Sequence, residues 1–315
     1  MNDKRIILAG GSGFLGKLLS TFLTERGYEA IVLSRQPAQN SGGIKEAFWD
    51  ARTLGPWAEQ LDGALAVINL AGRSVNCRYN DRNRQLILGS RVDSTRVLGE
   101  AISRCTTPPT VWLNSSTATI YKHSEERAMD EHGEIAATPD AKDAFSVHVA
   151  QEWERAFEAA SAPATRKVAL RTAMVLGTEV GSVLDVLRSL VLVGLGGRMG
   201  AGKQYVSWIH EEDFCRAIDW LISKQEFRGP VNVSAPNPVP NRELMATLRS
   251  ICGKAFGLPA TRWMLEFGAF FMRTETELIL KSRRVVPGRL LQSGFDFRFA
   301  RLEEALTDLV PRMEE

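Results

Sequence analysis

The apolar runs Ile6-Ile7-Leu8-Ala9, Ala30-Ile31-Val32-Leu33, Ala64–Leu70 and Val111-Trp112-Leu113 are continuous rather than alternating. That pattern marks strands covered on both faces. Between them the spacing changes to three and four: Phe14, Leu15, Leu18, Leu19, Phe22 and Leu23, then Leu86, Ile87, Val92, Val97, Leu98 and Ile102. The pattern predicts strands at Ile6–Ala9, Glu29–Leu33, Glu46–Trp49, Ala64–Leu70, Thr110–Asn114 and Lys167–Arg171. Helices are predicted from Phe14, over about 81–104 and over about 141–160. Strict alternation of this kind defines an α/β chain, a Rossmann-type doubly wound parallel sheet whose ligands bind beyond the carboxyl ends of its strands. The segments in that position are Gly10–Gly16, Ser34-Arg35, Asp50, Leu70-Ala71-Gly72, Ser115–Thr117 and Thr172–Val175.

After Gly177 the regular alternation ends. A glycine-rich stretch, Gly194–Gly202, has no Lys-Ser/Thr pair behind it, so it is expected to line a substrate cleft rather than hold a second phosphate. A short strand at Tyr205–His210, a helix at Glu211–Ser223 and a strand at Val231–Ser234 are expected to rejoin the first domain. A helix at about 242–252 and the apolar segment from Leu258 (Trp263, Phe267, Phe270, Phe271, Leu278, Ile279, Leu280) predict a small, mainly helical C-terminal cap domain. The expected partition is residues 1–177 plus 211–235 as the nucleotide-binding domain, with 178–210 plus 236–315 forming the substrate and cap region.

The junction between first strand and first helix carries the chemistry. Gly10, Gly13 and Gly16 fall at G-x-x-G-x-x-G spacing, with Phe14 and Leu15 opening the helix. Glycines here allow a tight turn and close approach of backbone to a pyrophosphate, which the N–H groups and positive dipole of the helix N-terminus then hold. The end of the second strand selects the dinucleotide. An NAD site places an acid there to accept the ribose hydroxyls, whereas this chain has Ser34-Arg35. A guanidinium pairs with a 2′-phosphate that a carboxylate would repel, so NADP(H) is the expected cofactor.

Composition excludes several alternatives. Among 315 residues, 39 Lys and Arg against 37 Asp and Glu leave a formal charge of +2 with no basic stripe, so no nucleic-acid partner is expected. No apolar run is long enough to span a membrane. The first strand begins almost at once, so no leader is expected. Cys77, Cys105, Cys215 and Cys252 lack paired spacing and read as reduced thiols of a cytoplasmic protein. His123, His132, His148 and His210 show no metal-ligand spacing, so no metal is expected.

Together Gly10-x-x-Gly13-Phe14-Leu15-Gly16, Asn69-Leu70-Ala71-Gly72, Ser115–Tyr121 and Leu170–Gly177 resemble the extended short-chain dehydrogenase/reductases, the NAD-dependent epimerase/dehydratase superfamily. Ser90-Arg91-Val92, Trp153-Glu154, Ser207-Trp208-Ile209-His210-x-x-Asp213, Arg284–Pro287 and Gly294–Phe297 resemble an epimerase-family branch with a C-terminal domain of unknown function. The resemblance spans essentially the whole chain. It implies an Asn, a Ser or Thr, a Tyr and a Lys as the proton machinery. Thr117 matches the Ser/Thr, and Arg91 stands where many relatives have the Asn. The helix that should carry Tyr-x-x-x-Lys reads Phe145-Ser146-Val147-His148-Val149-Ala150, with neither residue. The four tyrosines (28, 79, 121, 205) are followed at the fourth position by Val32, Asn83, Glu125 and Ile209.

Three functions are compatible with these residues. One is an NADP-dependent oxidoreductase or isomerase acting on an unknown small carbonyl or sugar-like substrate. In it Thr117 positions an oxygen, Tyr121 or His148 carries the proton, and Arg171 or Lys203 holds an anionic group. Another is an NADP(H)-binding regulator that has lost catalysis, with Lys281, Arg283 and Arg284 as an anion or partner patch. The third retains a nucleotide-sugar site clamped by Arg262 or Arg289. The cofactor contacts expected in all three are Gly10, Gly13, Phe14, Leu15, Gly16, Ser34, Arg35, Asp50, Leu70, Ala71, Gly72, Ser115 and Arg171. The resemblance also implies a homodimer through the two long helices.

Overall fold

The computed structural model describes residues 4–37, 44–261, 264, 275 and 277–313. Its centre is a seven-stranded sheet in the order β10-β6-β5-β4-β1-β2-β3. The members are β1 (Arg5–Ala9), β2 (Glu29–Ser34), β3 (Lys45–Phe48), β4 (Ala66–Asn69), β5 (Val111–Thr117), β6 (Arg166–Thr172) and β10 (Gly229–Val233). All pairings in it are parallel. β1 and β4 have no exposed apolar side chain because both faces are covered. Ile6, Leu8, Val32, Ile68 and Leu113 pack with α1 (Phe14–Glu25) and α5 (Glu211–Ser223). Ile7, Ile31, Val67 and Trp112 pack on the opposite face with α2 (Asp81–Ser103) and α3 (Ala144–Ala159).

The order of strands reverses between β1 and β4, which places the switch point, and so the ligand cleft, above Gly10 and Ala71. Buried polar side chains fix this edge. Asn69 at the end of β4 donates to Asn114 at 2.7 Å and to Thr95 of α2 at 3.3 Å, while its carbonyl oxygen accepts Ala71 N–H at 3.1 Å. Trp153 of α3 donates to the same Thr95 at 3.0 Å. The loop after β4 is thus tied to both long helices.

The segment predicted as one strand at 205–210 is two. β8 (Tyr205–Val206) pairs antiparallel with β11 (Val239–Pro240), and β9 (Trp208–His210) runs parallel to β7 (Met174–Leu176). Ser207, between them, accepts Val285 N–H and donates to Arg283 O, which turns the chain from one sheet to the other. A separate core gathers α4 (Val183–Leu192), α6 (Asn241–Ile251) and the helix Leu302–Arg312 around Trp208 and Met245. Trp263, Phe267, Phe270 and Phe271 lie outside the described residues.

The glycine-rich stretch, expected to line a substrate cleft, is anchored to the segment that follows α6. Its backbone is laced to residues 258–260: Leu258 N–H reaches Gly194 O at 2.8 Å, Ala260 N–H reaches Arg198 O at 3.0 Å, and Gly200 N–H reaches Ala260 O at 2.7 Å. A Cβ at Gly197 would lie 2.4 Å from Leu258 C, so glycine is required by backbone-to-backbone packing.

Candidate functional site

The turn after β1 has the form a nucleotide phosphate needs. Gly10 is in the left-handed region at φ +75°, and a Cβ there would sit 2.7 Å from Ala71 Cα. Gly16 packs onto Gly11, where a Cβ would come within 2.2 Å of the carbonyl oxygen. Gly13 has nothing near its missing Cβ; it is the extended N-cap of α1 and offers no side chain to the first N–H groups. The first turn of α1 carries no acid. Such a helix start holds donors in reserve for an anion.

Arg35 is exposed beyond β2 and makes no ion pair among the described residues, which suits a ribose phosphate. Ser34 is buried, with its hydroxyl accepting Gln36 N–H at 3.2 Å, so it shapes the turn that presents Arg35. Asp50 spends its carboxylate locally on the N–H groups of Arg52 and Thr53 and on the Thr53 hydroxyl. The Thr53 hydrogen bonds hold its pKa below the usual carboxylate value. Leu70, Ala71 and Gly72 follow β4 opposite Gly10, and Phe14 and Leu15 start α1.

At the end of β5, Ser115 and Thr117 are half-buried. Thr117 Oγ1 accepts Thr119 N–H at 3.1 Å, capping the short turn that carries the chain away from the sheet. Arg91 sits against Gly72, where a Cβ would be 3.2 Å from Arg91 Cζ, and donates to Arg73 O and Ile87 O. Burial lowers its pKa to about 10.

Other predicted site residues go elsewhere. Tyr121 is 2% exposed, donates to Asn232 Oδ1 at 2.8 Å and accepts from Arg171 at 2.9 Å. Burial pushes its pKa up to about 12. Arg171 forms a two-pronged pair with Glu154, which also holds Ser116. Tyr121 and Arg171 therefore knit β5, β6, α3 and β10 together, and both side chains are buried in that network. His148 is exposed. Two residues beyond Ser146, it points about 200° around α3 from it, so it stays outside the cluster that Ser146 joins. Arg289 donates to Arg228 O and Pro230 O, bracing β10 rather than clamping a phosphate. Arg262 lies outside the described residues. Lys203 is exposed.

Lys281 and Arg283, expected as a surface patch, turn inward. Lys281 Nζ is 2.6 Å from Asp143 Oδ2 and 2.6 Å from Thr119 O, with both charged side chains fully buried. Arg283 Nε donates to Thr119 Oγ1 at 3.0 Å. Arg284 reaches Glu126 O and covers the Tyr205 ring. Glu277, 5% exposed, accepts the Ser146 hydroxyl. The far C-terminal segment thus delivers an acid and two cations to the end of β5 and the first turns of α3. No local sequence signal marks Tyr79, Ser146 or Glu277; only the buried polar residues between apolar neighbours at 277–283 hint at an inward face.

Among the described residues no cluster of potential metal ligands occurs, and no helix is long and apolar enough to cross a membrane.

A seven-stranded parallel sheet with a glycine turn at its switch point and a C-terminal segment closing over the strand ends defines a Rossmann-type nucleotide-binding protein. Residues 6–234 match the NAD dependent epimerase/dehydratase family, and residues 260–309 match a domain of unknown function, DUF1731. The chain belongs to the NAD dependent epimerase/dehydratase family. It is 31% identical over 306 residues to the epimerase family protein YfhF of Bacillus subtilis, covering 97% of both chains. It is 29% identical over 309 residues to human epimerase family protein SDR39U1, covering 97% of this chain and 99% of the other. The crystal structure of the human protein with NADPH superimposes with a TM-score of 0.85 over 98% of this chain and 99% of that one. A nucleoside-diphosphate sugar epimerase from Corynebacterium glutamicum, 27% identical, gives 0.75 over 96% of this chain and 57% of its own.

Proposed function

We propose that this protein binds NADP(H) and acts as an oxidoreductase or isomerase on a small carbonyl or sugar-like compound without a Tyr-x-x-x-Lys pair. The observation that carries the reading is the unfilled start of α1: Gly13 caps it without a side chain, and Arg35 stands exposed at the end of the neighbouring strand. The human relative, matched over nearly its whole length, was crystallised with NADPH, which supports the choice of cofactor. The turn Gly10–Gly16 would hold the pyrophosphate through backbone N–H groups, and Arg35 the 2′-phosphate. Residues 70–72 and Ser115 would flank the nicotinamide half. The bound cofactor supplies or accepts a hydride. Thr117 and the buried charges beyond it would orient a substrate oxygen. A catalytically lapsed regulator would have no use for an acid buried there, so the enzyme reading is preferred.

The test is fluorescence titration with NADPH and NADH, followed by a panel of aldehydes, ketones and nucleotide sugars monitored by loss of reduced-cofactor absorbance. Binding of NADPH with turnover of a panel member supports the proposal. Absence of binding removes it, and binding without turnover favours the regulator.

A further inference from the structure

The turn that follows β5 is held by residues from the other end of the chain. Thr119 is fixed at its N–H, its carbonyl and its side chain. The N–H donates to Thr117 Oγ1 at 3.1 Å, the carbonyl oxygen accepts Lys281 Nζ at 2.6 Å, and Oγ1 accepts Arg283 Nε at 3.0 Å. Lys281 is itself anchored 2.6 Å from Asp143, the N-cap of α3, with both side chains fully buried. The residues around these cations are bonded as closely. Ser282 N–H reaches His123 Nδ1 and its hydroxyl reaches Ser124 O. Met129 N–H reaches Arg284 O, and Val286 N–H returns to Met129 O. On the other side Arg283 N–H reaches Tyr205 O at 2.8 Å and Val285 N–H reaches Ser207 Oγ at 2.7 Å. Residues 281–286 form a brace along the loop that leaves β5.

Stability alone does not account for charges in this brace. A buried ion pair gains little over an apolar pair of the same volume, because both charges must be stripped of water. What charged donors add is direction, since each bond fixes an angle as well as a distance. The peptide fixed in this way is the one whose N–H occupies Thr117 Oγ1. A threonine hydroxyl has one proton to give and lone pairs to receive. With Thr119 N–H on a lone pair, the proton is left for another partner, and no residue among those described accepts it. Asn114 pairs with Asn69 across β5 and β4, so Thr117 and Gly72 follow the same rung by three residues each. That is the edge of the sheet where Gly10 meets Ala71.

We propose that the C-terminal segment is a positioning device for Thr117: Lys281 and Arg283, by holding Thr119, keep the Thr117 hydroxyl aimed as a hydrogen-bond donor at a substrate carbonyl oxygen. The role rests on the NADP(H)-dependent carbonyl chemistry proposed above. Negative charge that develops on that oxygen during reduction strengthens the bond, and Thr117 keeps its proton throughout. Lys281 and Arg283 act through Thr119 and are positioning residues. The part of the chain that matches DUF1731 thereby gains a task in the site: it sets the direction of one donor that the sheet alone would leave free to turn.

The experiment uses the full chain. Amide exchange at Thr119, followed by NMR and corrected for intrinsic rates, reads the turn without any substrate. Three variants loosen the brace: Arg283→Ala, Thr119→Val, and Lys281→Met combined with Asp143→Leu. In each, Thr119 N–H should exchange about 10-fold faster, the effect of one weakened hydrogen bond, while Leu113 and Val168 in the sheet keep their rates. Turnover is then measured with NADPH and phenanthrenequinone as the carbonyl probe. Thr117→Val should lower kcat about 100-fold with NADPH affinity by fluorescence unchanged. Arg283→Ala and Thr119→Val should also lower kcat, and Thr119→Ser should recover much of the rate. Adding Arg283→Ala to Thr117→Val should cost nothing further. Unchanged exchange at Thr119 in all three brace variants, faster exchange across the whole sheet in all three, or multiplying losses in the combined variant overturns the proposal. If the quinone is not reduced, the exchange result decides alone. Failure of NADPH to bind the wild type would instead remove the underlying function, and the exchange pattern would still test the brace.

Discussion

Arg35 and Gly10 show how single residues set the expected chemistry. Replacing Arg35 by Ala should weaken NADPH binding by about 10-fold to 100-fold, since a charge-assisted contact is worth about 1.5–3 kcal/mol. NADH affinity should stay near its starting value, and parallel fluorescence titrations read both. Gly10→Ala forces a side chain into the left-handed region against Ala71 Cα. It should lower stability by about 2 kcal/mol, visible as a reduced Tm even without nucleotide. These positions were legible in the sequence because their signals are local: a glycine spacing, and a basic residue where an acid is usual. Tyr121 and Arg171 carried equally suggestive letters, yet the partners that occupy them, Asn232, Glu131 and Glu154, come from other elements of the fold. Local pattern cannot tell a waiting side chain from a satisfied one.

At the level of elements, the sheet strands were readable because a parallel strand covered on both faces must be apolar throughout, and the observed limits fall within three residues of those expected, the largest difference being the end of β5 at Thr117. Short pieces such as β7, β8 and β9 were missed or merged, since two or three residues carry no period. The contact between the C-terminal segment and α3 was equally hidden: Asp143 and Lys281 are separated by most of a domain's length in sequence. Their pair is fully buried, and burial lowers the pKa of the lysine. Removing one member of such a pair leaves a naked charge, typically costing about 3–5 kcal/mol. Lys281→Met should therefore destabilise strongly in chemical denaturation, whereas the double change Lys281→Met with Asp143→Leu should recover much of the loss.

For the whole molecule, the two cores meet at His210. The imidazole is fully buried, stacks on Phe299, caps α5 by accepting Glu212 N–H at 3.0 Å, and lies 3.1 Å from Asp308 of the last helix. Burial lowers its pKa below 6.5, so the unfolded chain takes up a proton that the folded one refuses. The histidine's contribution is present above the ordinary histidine range and is lost as pH falls from about 6.5 towards its folded value. Glu211 slopes the other way: burial raises its pKa above 4.5, so its contribution fades as pH climbs from there through the folded value. Thermal scans from neutral pH downward should show Tm declining first over the histidine range, and His210→Asn should flatten that decline.

Gly177 is where these two halves touch the nucleotide turn: a Cβ there would lie 2.2 Å from Glu211 Oε2 and 2.4 Å from Phe14 Cζ. Glu211 in turn grips Arg312 at 2.9 Å and Thr178 N–H at 3.1 Å. A ligand that stiffens the beginning of α1 therefore also damps the end of the chain by direct mechanical contact. Amide exchange in the helix Leu302–Arg312 should slow when NADPH is added, and a bulkier residue at 177 should uncouple that response.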